Sequence, residues 1–321
     1  MPDKTTSGIL NINKMLRNIR FYLTENCNAN CSTCFNRNTR GKSYMRVDKF
    51  EQLCAYFRDN KVPVLKIMGG EPTLHPDFQI MTEIAQKYFK KICVFTNGLS
   101  EDLQKFNPRK SDSITYNFRF SKKISKENLM LDKLGRRSLE IQVSEKTDVK
   151  VLMDEIKRYS SYGKMFVNFT LDCTENIFLH RQAIATKYES LWLQCKEMGI
   201  LAGKDHIVPL CFLYGTKIPL KSAKSICRLD CTGLIDADYN LRHCNQFSDH
   251  LINMFVGDRI IPYNILVNYL KSKHIKLQDT ALDKICKDCV FYGKNCNGGC
   301  FVAKDNITKE DILNNTDFPL I

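Results

Sequence analysis

The chain has 321 residues, with 43% apolar and 26% charged residues and a formal net charge of +13. That length and balance describe a packed protein of one or two domains and exclude a disordered chain or a string of small modules. No run reaches the roughly 18 apolar residues of a membrane span, and the first ten residues, MPDKTTSGIL, contain no apolar signal core, so a cytoplasmic protein is expected.

Cysteine is the outlier, at 15 residues. In a chain without export signals, that many thiols point to metal binding more than to disulfides. Five of them (Cys54, Cys93, Cys173, Cys195 and Cys211) are scattered singly and read as small buried apolar residues. The other ten fall into two groups.

In chain order, Ile19–Leu23 reads as a strand, followed at once by Cys27, Cys31 and Cys34 in C-x3-C-x2-C spacing. Three close thiolates without a neighbouring His do not complete a structural zinc site; they suit an iron–sulfur cluster with one iron left open. Val47, Phe50, Leu53, Cys54 and Phe57 recur at helical spacing. The apolar run 62–68 reads as a second strand ending in Gly69-Gly70-Glu71-Pro72. A helix carrying Phe78, Met81, Ile84, Ala85 and Tyr88 follows, and Ile92–Phe95 forms a third strand closed by Thr96-Asn97-Gly98. Strand–helix alternation predicts βα units on a parallel sheet, with the unusual residues just past each strand's C-terminal end, where such folds place their chemistry.

Three later strands alternate. Ile114, Tyr116, Phe118 and Phe120 oppose Thr115, Asn117 and Arg119. Leu139, Ile141 and Val143 oppose Glu140, Gln142 and Ser144. Met165, Val167, Phe169 and Leu171 oppose Asn168, Thr170 and Asp172. A buried parallel strand is normally apolar on both faces, so the alternation predicts helices on one face and a polar, ligand-holding lumen on the other. An antiparallel sheet with one solvated face is the competing reading. Helices are expected over 149–159 and 182–198. Asn117, Arg119, Gln142, Ser144 and Asp172 are candidates for contact with cofactor or substrate. Cys211, in the apolar run 207–214, is a candidate hydrogen-atom donor, against a plain buried role; Asp172 is the second candidate catalytic group.

After Gly215 the texture changes to short segments, turn residues and cysteines. Cys227, Cys231 and Cys244 precede a dense run, Cys286-x2-Cys289-x6-Cys296-x3-Cys300.

The order Cys27-x3-Cys31-x2-Cys34, Gly69-Gly70-Glu71-Pro72, Thr96-Asn97-Gly98 resembles the radical S-adenosylmethionine (SAM) enzymes. The resemblance implies a partial (β/α)6 TIM-type barrel in which Cys27, Cys31 and Cys34 hold a [4Fe–4S] cluster whose open iron binds SAM. The cofactor pocket would then include Gly69, Gly70, Glu71, Pro72 and Asn97. Reductive cleavage of SAM would give a 5′-deoxyadenosyl radical able to abstract hydrogen from unactivated C–H bonds, chemistry that no side chain supplies. Thr33 stands where many members carry an aromatic residue, and Phe35 is a candidate replacement. The C-terminal cysteines resemble the auxiliary-cluster extension called SPASM, implying one [4Fe–4S] cluster on Cys227, Cys231, Cys244 and Cys300 and a second on Cys286, Cys289 and Cys296. The eighth cysteine usual in that extension is missing. An open iron, a ligand such as Asp305 or Asp311, or a single auxiliary cluster would each account for the gap.

The expected organisation is an N-terminal extension (1–18), a barrel (19–215) and a small cysteine-rich SPASM/twitch-like domain (216–321). The expected function is hydrogen abstraction from a peptide or protein, giving crosslinks, thioethers, epimers or oxidised residues. Only 26 residues precede Cys27, too few for the leader-binding domain some such enzymes carry before the barrel; this counts against a peptide substrate or requires the peptide to be recognised elsewhere. A small-molecule substrate, such as a sugar or aminoglycoside, is the alternative. From the cysteines alone, a non-catalytic zinc protein binding nucleic acid is a third. The basic balance, without a nucleic-acid motif, suits docking of an acidic electron donor such as flavodoxin or ferredoxin.

Overall fold

The computed structural model describes residues 16–31, 34, 43–118, 124–129, 136–171, 176–204, 208–218, 232–244, 250–282, 286, 289 and 296. Arg119, Asp172, Cys227, Cys231 and Cys300, with Thr33, Phe35, Asp305 and Asp311, lie outside the described residues.

The strands are β1 (Asn18–Tyr22), β2 (Val64–Met68), β3 (Lys91–Thr96), β4 (Ser113–Asn117), β5 (Arg136–Val143), β6 (Met165–Leu171) and β7 (Leu201–Lys204), followed by β8 (Thr232–Ile235), β9 (Asn240–Arg242) and β10 (Ile252–Asn253). They form one ten-stranded sheet in the order β10-β9-β8-β1-β2-β3-β4-β5-β6-β7. Every neighbouring pair from β1 to β7 is parallel, which rules out the antiparallel alternative. The order is linear: among the described residues the sheet is open rather than closed. The sheet also reaches past residue 216. β8 pairs parallel with β1, Asn18 opposite Thr232 and Phe21 opposite Ile235, and β9 and β10 continue antiparallel.

Helices connect the parallel strands: α1 (Val47–Asp59), α2 (Phe78–Tyr88), the short α3 (Lys126–Leu129), α4 (Val149–Ser160) and α5 (Arg181–Glu197). A longer helix, α6 (Tyr263–Leu282), follows β10. In α1 the buried residues are Phe50, Leu53, Cys54 and Phe57, the i, i+3, i+4, i+7 stripe of one face. Asp148 caps α4, its carboxylate accepting from the Val151 N–H at 3.1 Å, a contact typically worth about 1 kcal/mol. The second strand starts at Val64 rather than at Val62 because Pro63 cannot donate to a ladder.

The main core lies between sheet and helices. Ile19, Phe21, Leu65, Ile67, Val94, Ile114, Tyr116, Leu139, Ile141, Val167 and Phe169 are fully buried there; each side chain removed from water contributes about 1.5–3 kcal/mol. On the opposite face Asn117, Glu140, Gln142 and Asn168 are only half-buried, and the register sets Asn117 beside Glu140 and Glu140 beside Asn168. The alternation in the sequence therefore separates a packed face from a polar one. Among the described residues no helix is long and apolar enough to cross a membrane.

Candidate active site

The C-terminal ends of β1, β2 and β3 converge on the loop that carries Cys27, Cys31 and Cys34. The Leu23 N–H donates to the Met68 carbonyl at 3.0 Å, Gly70 N–H to Thr24 O at 2.9 Å, and Glu71 N–H to Asn26 O at 2.7 Å. This stitching explains the two glycines. A Cβ on Gly69, whose φ is +154°, would lie 2.2 Å from Thr24 O, and one on Gly70 would lie 2.4 Å from both Glu25 O and Asn26 O. The close approach they permit is to the cysteine loop's own backbone.

Glu71 is fully buried. Its Oε1 accepts from the Thr73 N–H (3.3 Å), the Thr73 hydroxyl (2.7 Å) and the Thr96 hydroxyl (2.7 Å), and its Oε2 from the Asn97 N–H (2.7 Å). Burial pushes its pKa above the ordinary carboxylate value, against these four donors, which favour the anion. The side chain thus ties the β2 turn to the β3 turn. Asn97 carries the tie onward: its Nδ2 donates to Asn28 Oδ1 at 2.8 Å and lies 3.9 Å from Cys27 Sγ. Cys27 Sγ also accepts from the Ala29 N–H at 3.4 Å. Cys34 N–H donates to Cys31 O at 3.3 Å, and all three cysteines are half-buried.

Other predicted residues lie elsewhere on the polar face. Asn117 and Gln142 point from β4 and β5. Ser144 holds a turn before α4: its N–H donates to Thr147 Oγ1 at 2.9 Å, and its hydroxyl accepts from the Lys146 N–H at 3.3 Å. Pro72 begins a single helical turn and is buried. Cys211 is half-buried on a turn after β7. Burial pushes its thiol pKa up, and Cys296, Cys286 and Cys289, which lie near it, push the same way.

Two features had no sequence signal. Arg242, 4% exposed, pairs with Asp236 at 2.9 Å and with Glu25 at 3.6 Å, fastening β9 beside the cysteine loop two residues before Cys244. Tyr22, at the end of β1, is fully buried, and its hydroxyl has no hydrogen-bond partner among the described residues. Burial pushes its pKa up; Cys244 and Cys34, one from each cysteine group, add to the rise, and Arg20 and Arg242 oppose it.

The donor set fits an iron–sulfur cluster. The three cysteines offer soft sulfur ligands, and N–H groups of Ala29 and Asn97 are aimed at Cys27 Sγ. A lone zinc would need its sulfurs about 3.8 Å apart, from Zn–S bonds near 2.3 Å. Among the described residues no group of three or more His, Cys, Asp or Glu side chains is placed to hold a metal ion.

Comparison with known proteins agrees. Residues 21–118 match the model of the Radical SAM superfamily. The antilisterial bacteriocin subtilosin biosynthesis protein AlbA of Bacillus subtilis is 33% identical over 95 residues, 29% of this chain and 21% of that protein. A probable GTP 3′,8-cyclase of Methanococcus maripaludis is 26% identical over 201 residues, 61% of this chain and 60% of that protein. The chain thus spans less than two thirds of the length of these curated relatives. Among solved structures, Streptococcus suis SuiB bound to S-adenosylmethionine superposes with a TM-score of 0.63 at 14% identity, covering 93% of this chain and 76% of that one. The structure of anSMEcpe with AdoMet and the Cp18Cys peptide gives 0.58 at 15%, covering 90% of each chain. These likenesses establish the shared fold. Built on the ends of parallel strands, the segment 21–118 of this chain is similar to the radical SAM superfamily.

Proposed function

We propose that this chain is a radical SAM enzyme that modifies a peptide. One observation carries the reading: the segment Thr24–Asn28 that leads into the thiol loop is held by hydrogen bonds to Gly70, Glu71 and Asn97 at the C-terminal edge of a parallel sheet whose adjoining face is polar. When bound, a [4Fe–4S] cluster and SAM supply electron transfer to the sulfonium and the hydrogen abstraction that follows. Cys27, Cys31 and Cys34 would hold that cluster. Glu71 and Asn97 keep the loop in place, with Asn97 placing an N–H near the Cys27 sulfur. Asn117 and Gln142 on the polar face, with Arg119 and Asp172 outside the described residues, are proposed to orient SAM and substrate.

Residues 216–321 are proposed to form an auxiliary-cluster extension, with Cys227, Cys231, Cys244 and Cys300 on one cluster and Cys286, Cys289 and Cys296 on another. Such clusters accept the electron that an oxidised product must release. An acidic flavodoxin or ferredoxin is the proposed donor, matched to the basic chain. The peptide substrate is supported by the likeness to AlbA, named for bacteriocin biosynthesis, and by the shared fold with SuiB, which has a structure bound to its precursor peptide SuiA. A small-molecule substrate is the second reading, favoured by the longer match to the GTP 3′,8-cyclase.

The test is anaerobic reconstitution with iron and sulfide, reduction by dithionite, and quantification of 5′-deoxyadenosine after SAM is added. The wild-type chain should form it, and Cys27→Ala, Cys31→Ala and Cys34→Ala should each abolish it. Formation that survives all three substitutions contradicts the mechanism. Turnover of short peptides encoded beside the gene, against nucleotides and sugars, separates the two substrate readings.

A further inference from the structure

The polar face of the sheet is ordered in rows. The register sets Asn117, Glu140, Asn168 and Gly203 side by side across β4, β5, β6 and β7. Asn97 and Asn117 follow directly on the Thr96–Tyr116 pair, so this row starts beside the residue whose Nδ2 meets Asn28 in the cysteine loop. The Phe118 N–H donates to the Glu140 carbonyl at 2.9 Å and carries the ladder one step past Asn117. Asn117, Glu140 and Asn168 are half-buried, whereas Thr115 and Ser138 in the row beneath are buried. An aromatic ring closes the far end: a Cβ on Gly203 would lie 2.7 Å from the Phe166 ring and 3.0 Å from Asn168 Oδ1.

Glu140 is the only carboxylate in strands β1 to β7, in a chain that carries 48 Lys and Arg residues. The cations of the same face, Arg20, Lys66 and Arg136, share a different row, four positions nearer the start of β5. A half-buried carboxylate loses hydration that N–H donors or a cation must replace. The flanking carboxamides can each donate or accept. Two strand spacings of about 4.8 Å separate Glu140 from Asn97 and the cysteine loop.

We propose that Asn117, Glu140 and Asn168 form a substrate subsite for a cationic N–H group: the ammonium of a lysine or the guanidinium of an arginine in the peptide. The inference rests on the peptide reading above and narrows it to peptides with a basic residue near the one modified. Glu140 supplies the charge. Asn117 and Asn168 supply carbonyl acceptors on either side, and the Phe166 ring stops the group from moving on toward β7.

The test uses the full chain, reconstituted anaerobically and saturated with SAM, and three capped glycine pentapeptides whose central residue is lysine, norleucine or glutamate. Isothermal titration calorimetry gives the affinities. The lysine peptide should bind at least about tenfold more tightly than the norleucine peptide, as a hydrogen bond to a charged group requires. Glu140→Gln, which keeps the shape of the side chain, should abolish that preference. Glu140→Lys should turn it toward the glutamate peptide, a switch that a merely structural residue would not produce. Equal affinities for lysine and norleucine in the wild type, no binding of any of the three, or a preference that survives Glu140→Gln would overturn the assignment and leave the peptide reading standing. So would a Glu140→Gln chain that binds SAM more weakly with the preference intact, because the carboxylate would then serve the cofactor. Turnover of a nucleotide or sugar, with none of the peptides encoded beside the gene modified, would instead remove the peptide reading itself.

Discussion

The two cysteine groups are held in different ways. The N-terminal loop is fastened mainly by backbone: Gly70 and Glu71 donate to carbonyls of the loop, and Asn97 and Thr96 close on Glu71. The strand that leads to Cys244 is fastened by side chains, Arg242 pairing with Asp236 six residues earlier and with Glu25 far back in the chain. Backbone stitching at strand ends fixes a loop with little conformational freedom left to lose. A buried ion pair fixes it conditionally, because removing one partner strands the other charge away from water. The first arrangement fixes the loop's geometry, and the second joins β9, ahead of Cys244, to Glu25, ahead of Cys27, through one arginine.

The largest expected effect breaks the second arrangement. Arg242→Ala removes the guanidinium from Asp236 and Glu25, both buried, and breaking such a pair typically costs about 3–5 kcal/mol. Urea denaturation should read that loss, and Asp236→Asn in the same chain should recover part of it. Equal losses with and without Asp236→Asn would show that the pair does not couple the two regions. Next, Gly70→Ala sets a methyl against two carbonyl oxygens, an overpacking cost of about 1–3 kcal/mol. It should also lower cluster occupancy at the N-terminal loop by iron count, and a fully loaded G70A would contradict the close-approach argument. Glu71→Gln places an NH2 group where N–H and O–H donors converge, leaving a buried donor unsatisfied at about 1–3 kcal/mol. The readouts are the denaturation midpoint and the rate of 5′-deoxyadenosine formation, both of which should fall.

Much of the fold was legible in the sequence and the fastening was not. Period-two alternation exposed the packed and polar faces of β4, β5 and β6 because a parallel strand with one polar face is unusual. Cys27, Cys31 and Cys34 were legible because their spacing is local. β8 gave no comparable signal: four residues including Gly233 carry little pattern, and only pairing with β1 defines them. Arg242 and Glu25 stand 217 positions apart, and charge patterning along the chain cannot report a pair at that separation. Ser144 was read as a lumen contact from its place in the alternation, yet its hydrogen bonds hold the turn into α4. Glu71 and the glycines read as residues beside a cofactor; their hydrogen bonds and close approaches within the protein, to Thr73, Thr96, Asn97 and the Thr24–Asn26 backbone, join segments that no local spacing connects.

Two smaller effects sharpen the contrast. Asp112, fully buried at the start of β4, is shifted by burial upward and by its hydrogen bonds downward. The Arg109 guanidinium and the Ile92 and Arg109 N–H groups prevail and hold it below the ordinary carboxylate range. The unfolded chain therefore binds this proton more readily than the folded one. Its stabilisation is complete above the unfolded pKa of about 3.9 and is lost as pH falls through the folded value. Asp112→Asn should flatten that acid limb of the stability curve, and an unchanged limb would remove Asp112 from it. The smallest effect belongs to Tyr22→Phe, which removes a buried hydroxyl with no partner among the described residues. The cluster-free chain should gain up to about 1 kcal/mol, read as a higher urea midpoint; a lower midpoint would show that the hydroxyl is satisfied in solution.

The central claim is that Cys27, Cys31 and Cys34 leave an iron open to SAM. It is tested most directly by electron paramagnetic resonance of the dithionite-reduced chain carrying Cys244→Ala, Cys286→Ala, Cys289→Ala and Cys296→Ala, recorded with and without SAM. The account predicts a single reduced cluster whose signal changes shape when SAM is added. A cluster whose spectrum is identical with and without saturating SAM would contradict it.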